Sequence, residues 1–129
     1  MDRTQSPLLR VTLYSEVTDA DFQVYLEDSD RVVRDGKPYA LVYDATRGHG
    51  LSVLQRRRQS QWIRDNDASL RRLCLGGSFA ITSTLVRGAL TAVLWVAPFP
   101  FPHIVVGSVA EAEDWLRDRL ASGGVSLAV

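Results

Sequence analysis

The chain has 129 residues, 46% hydrophobic and 23% charged, and its 15 basic and 15 acidic side chains cancel. That length argues for one domain that buries roughly two thirds of its unfolded surface without disulfide or metal staples. A single Cys excludes an intramolecular disulfide framework, and no apolar run approaches the ~20 residues that span a bilayer. Met1-Asp2-Arg3 leads into polar residues rather than a signal-peptide core, so a cytoplasmic location without stable membrane insertion is expected.

Leu8 to Tyr14 alternates, with Leu9, Val11 and Leu13 on one side, and predicts a half-buried or edge strand. Thr18 is placed to cap a helix with Asp19 and Asp21 in its first turn, and Phe22, Tyr25, Leu26, Ser29, Val32 and Val33 follow at helical spacing. Gly36 and Pro38 end it. Tyr39 to Tyr43 is a nearly continuous apolar run before Asp44 and reads as a central strand covered on both faces. Gly48-His49-Gly50 marks a turn expected to need positive φ. Ser52 and Gln55 then form an S-x-x-Q capping box that opens a helix to about Asn66. Asp67 to Arg72 is either an extension of that helix or a turn.

Leu73 to Ile81 predicts a third strand, interrupted by Gly76-Gly77, which signals a bulge or a close backbone approach. Ser83 or Thr84 caps a helix from Leu85 to about Val96 that is apolar almost all round, and such a helix is buried in the core or by a partner. Pro98, Pro100 and Pro102 hold Phe99 and Phe101 in an extended connection. Ile104 to Val106 is the fourth strand, and Ser108 with Glu111 opens a last helix that ends at Gly123-Gly124. The expected fold is α/β: a single domain with a four- or five-stranded, mainly parallel sheet flanked by about four helices in βαβαβαβα order. Its ordered core should cover about residues 8–121.

Charge is segregated along the chain. Residues 46–88 carry eight arginines and two acids, whereas residues 1–45 carry nine acids and five bases. The simplest reading is balance between neighbouring solvated faces; the sharper one is a basic face for an acidic partner. Nucleic acid is not expected, because the pI is not high and no aromatic residues interleave the arginines in a known motif. His49, His103 and Cys74 are scattered, so no metal or cofactor is expected, and Cys74 reads as a small buried hydrophobe. Ser52, His49 and Asp44 lie close in sequence but without a G-x-S-x-G elbow, so no catalytic set is assigned. Asp44 ends a strand where ligand sites gather in open α/β sheets, and its plainer role is to stabilise its loop.

Several segments together resemble one family. They are Thr18-Asp19-Ala20-Asp21-Phe22, the strand Tyr39 to Asp44, Val86 to Trp95, and the acidic helix Glu111 to Leu116. The pattern from Val11 to Leu120 is similar to the STAS-like superfamily in its SpoIIAA-like branch. The resemblance implies a small sheet flanked by helices and a non-catalytic protein-interaction module of bacterial signalling or regulation. Relatives of that kind dock a regulatory protein partner through the helix after the central strand and are switched by phosphorylation at its start. The matching region here, Asp44 to Ser52, departs from their Asp-Ser-Ser/Thr-Gly-Leu pattern, because Ser52 follows the Leu. The N-terminal hairpin frequent in the superfamily is reduced to one strand.

Two surfaces follow as expectations. A partner face would use Asp44, Arg47, His49, Ser52, Arg56 and Arg57. An apolar surface built on Trp95, Phe99 and Phe101 would serve a homodimer interface, or a lipid or small apolar ligand as in SEC14-type carriers.

Overall fold

Each stretch of apolar alternation becomes a strand, and each capped amphipathic stretch becomes a helix. In the computed structural model the order is β1 (Leu8–Thr12), α1 (Asp19–Asp35), β2 (Tyr39–Asp44), α2 (Val53–Asp65), α3 (Asp67–Leu73), β3 (Cys74–Ala80), α4 (Thr84–Val96), β4 (His103–Val106) and α5 (Val109–Ser122). The structure describes residues 1–122 except Gln5, Ser15, His49 and Ala97, and gives no side-chain account of Ala92, Val93, Trp95 and Val96.

The four strands form one all-parallel sheet in the order β1-β2-β3-β4. Parallel neighbours need crossovers of one hand, and a consecutive order sends every crossover over the same face. Accordingly Val32 of α1, Ile63 of α2 and Leu70 and Leu73 of α3 share one core with Leu9, Val11, Tyr39 and Leu41. Only α5, which follows the last strand, covers the other face: its Ala112, Leu116 and Leu120 meet Leu8, Ala40, Val42 and Ala80.

The second face is closely packed for a reason legible at Gly76. A Cβ there would lie 3.1 Å from both Arg119 Cδ and Trp115 Cζ3. Ser78 Oγ donates to the Ala112 carbonyl at 3.0 Å, and Arg119 Nε donates to the Leu75 carbonyl at 2.9 Å. Arg10 and Glu113 form an ion pair that ties β1 to the same helix.

The caps account for the helix boundaries. The Thr18 hydroxyl accepts from the Asp21 N–H at 3.1 Å, and α1 stops at Gly36, whose φ is 69°. Ser52 and Gln55 form the complete capping box, with both bonds at 3.1 Å. Ser83 Oγ, rather than Thr84, accepts from the Val86 N–H at α4.

Four details differ from the sequence reading. β1 ends at Thr12, with Tyr14 exposed beyond it. Asp67–Leu73 is a separate helix, because Asn66 breaks the run, so five helices stand where about four were expected. At the glycine turn only Gly50 has positive φ (91°); Gly48 is needed instead because a Cβ would lie 3.3 Å from Leu13 Cβ. At β1 an isolated antiparallel bridge between Asp2 and Arg10 is all the N-terminal pairing among the described residues. The doublet in β3 serves both expected purposes. The register shifts between Tyr39 and Ala40 opposite it, and both glycines admit a close neighbour.

Candidate functional site

The crossover face is built differently from the α5 face. Its strands present large rings, which hold the covering helices off the sheet. Between them lies a cavity of about 620 Å³, within the range that holds small-molecule ligands.

One wall is a row of four aromatic rings. Tyr43 of β2 stacks on Phe79 of β3 at 4.7 Å and 4°, Phe79 on Phe99 at 5.2 Å and 7°, and Phe99 on Phe101 at 5.0 Å and 8°. The chain bends at Pro100 and Phe101, and the buried Phe101 ring lies alongside the half-buried Phe99. In the parallel register Tyr43 lies opposite Phe79. His103 presses an edge contact on Phe79 and Phe99. Gly77 makes room for the row's end, since a Cβ there would lie 2.6 Å from Phe101 Cε2.

The opposite wall comes from Phe22 and Tyr25 of α1, Gln59 and Ile63 of α2, and Val86 and Leu90 of α4. The helix α4, expected to be covered by the core or by a partner, is only partly covered within the domain: among its described residues Leu85 is 82% exposed, and Val86 and Leu90 make contacts with Phe79 and Ile81. Strand order explains this, because α4 joins β3 to the edge strand β4 and therefore lies at the sheet margin. The cavity reaches the surface here, with exposed Tyr14, Val24 and Leu85 among its lining.

One polar cluster interrupts the apolar walls. The Tyr25 and Tyr43 hydroxyls are hydrogen-bonded at 3.2 Å. The Gln59 side chain lies beside the Tyr25 hydroxyl, and its Oε1 is buried with no hydrogen-bond partner among the described residues. Removal from water pushes both phenols above the ordinary tyrosine range, Tyr43 well above it. Burial likewise raises Tyr39, and it pushes the Cys74 thiol up to about 12, so that thiol is an inert core group. The charged side chains in the lining are Glu16, Asp21 and Arg56.

The sequence-derived candidates divide accordingly. Phe99 and Phe101 are brought together in the cavity wall; the Trp95 side chain lies outside the described residues. Asp44 is occupied in its own loop, its Oδ1 accepting from the Thr46 N–H at 3.1 Å and the Thr46 hydroxyl at 2.6 Å. The Ser52 hydroxyl is engaged as the α2 cap. Arg47 and Arg57 are exposed, Arg56 lines the cavity, and His49 lies outside the described residues. Of the five described partner candidates, Asp44 and Ser52 are engaged locally, whereas Arg47 and Arg57 are exposed. Among the described residues no group of three or more His, Cys, Asp or Glu could hold a metal ion. Tyr25, Tyr43, Gln59 and Phe79 were missed as site residues. The apolar patterns that hold Tyr25, Tyr43 and Phe79 are visible in the sequence, but such a pattern marks a core face whether that face closes or leaves space, and polar Gln59 carries no such signal.

No protein-family model, curated protein or solved structure matches this chain. Among the described residues no helix is long and apolar enough to cross a membrane.

Proposed function

We propose that this domain binds an apolar or amphipathic small molecule in the cavity, as a carrier or sensor without catalysis. The observation that carries the reading is the 620 Å³ cavity walled by Tyr43, Phe79, Phe99 and Phe101. Aromatic and aliphatic walls are wetted poorly, so an apolar occupant gains free energy on entering.

The test is native mass spectrometry of the gently purified protein, followed by solvent extraction and titration of the stripped protein with an apolar probe. A bound small molecule and saturable rebinding are expected. Leu90→Trp, which fills the cavity from α4, should weaken rebinding at least about tenfold while the circular dichroism is unchanged. No co-purifying molecule together with no saturable binding would remove the reading.

A second reading, a signalling module for an acidic protein partner, is supported by Arg47 and Arg57. Both are exposed, and neither has a carboxylate within 4.0 Å among the described residues. The STAS-like resemblance points the same way, and exposed Leu85 on α4 suits a homodimer as well. Arg58 is a poor probe of this face, because it lies over the Phe22 ring and bonds Gln23. Arg47→Glu with Arg57→Glu should abolish capture of an acidic partner and leave the fold intact; unchanged capture would exclude this face.

A further inference from the structure

The polar cluster in the cavity wall constrains what the ligand carries. The Tyr25 and Tyr43 hydroxyls bond each other, and the Gln59 and Ser29 side chains lie beside the Tyr25 hydroxyl as further partners. Gln59 adds an acceptor, Oε1, that no group among the described residues satisfies. The wall therefore offers an acceptor that calls for a donor, and a neutral hydroxyl group supplies one.

An anionic head suits the same place poorly. A carboxylate only accepts, so it would leave Gln59 Oε1 unsatisfied. It would also be an ion within apolar walls, costly unless paired. Arg56 is the one side-chain cation in the described lining, and two acids, Glu16 and Asp21, accompany it. Resting on the apolar-ligand reading above, we propose that the ligand is a neutral amphiphile, an alcohol head on an apolar body, held by Tyr25, Tyr43 and Gln59. The aromatic row beside Tyr43 then packs the body.

Calorimetric titration of the lipid-stripped protein with decan-1-ol and with decanoate at pH 8 tests this. Decan-1-ol should bind about tenfold tighter than decanoate, and the double variant Tyr25→Phe, Gln59→Leu should lose about tenfold for the alcohol and nearly nothing for decanoate. If the double variant fails to fold, Tyr43→Phe, which removes one oxygen, should reduce the same preference. Equal or tighter binding of decanoate, or a preference that survives these variants, would overturn the hydroxyl assignment while leaving the cavity reading intact. Absence of binding by both probes, with a native melting transition, would overturn both.

Discussion

The two faces of this sheet use the same strands to opposite ends. On the α5 face the side chains are small where the helix crosses: Ala40, Gly76, Ser78 and Ala112 let the helix come down onto the strands. On the crossover face Tyr39 packs with Val32, Ile63, Leu70 and Leu73 of the covering helices, whereas Tyr43 and Phe79 line the cavity. Small residues give close packing that a void cannot interrupt. Large rings stacked on one another leave space beside the stack, because planar groups in a row do not fill a curved gap. The lesson is that high aromatic content does not by itself close a core.

The comparison can be broken most sharply at Leu116. It is fully buried against the close face, so Leu116→Ala should cost about 2–5 kcal/mol in urea unfolding. Leu90→Ala on the cavity face removes the same atoms from a half-buried position and should cost less than about 1 kcal/mol. Equal costs would mean that the two faces are equally well packed. Overpacking gives the next effect. Ala112→Leu on the close face and Gly77→Ala behind Phe101 should each cost about 1–3 kcal/mol, the second also disturbing the ring stack. Aromatic proton shifts of Phe99 and Phe101 would report that disturbance.

Alkaline pH separates the faces by a different route. Tyr25, Tyr39, Tyr43 and Cys74 all belong to the crossover side, and burial raises all four. Above about pH 9 the unfolded chain begins to release protons that the folded chain keeps. Their contribution to stability is therefore full below that pH and declines as pH rises. Denaturant midpoints should fall between about pH 9 and 11, and less steeply in the Tyr25→Phe, Tyr43→Phe variant. A pH-independent midpoint would show that these groups are solvated. A small local effect belongs to the α2 cap: Ser52→Ala should cost about 1 kcal/mol, a value readable from the shift in melting temperature.

Much of the fold was legible in the residues, and for local reasons. Thr18, Ser52 and Gly36 mark helix ends because their caps act within one turn, and the Tyr39 to Tyr43 run marks a strand covered on both faces. The strand–helix alternation sufficed for a parallel sheet. Local patterns did not settle position. The apolar helix α4 was expected to be covered by the core or by a partner, and its link to an edge strand puts it at the sheet margin. Asp44 and Ser52 keep the local roles their sequence context offered, as a loop acceptor for Thr46 and as the α2 cap. What the amino-acid order determined alone is the identity of the elements. What only the tertiary structure decided is that Tyr25 meets Tyr43, that Phe79 joins the ring row, and that space remains between them. Periodicity reports which side of an element is apolar, whereas the separation of two elements depends on side chains from several distant segments meeting at once.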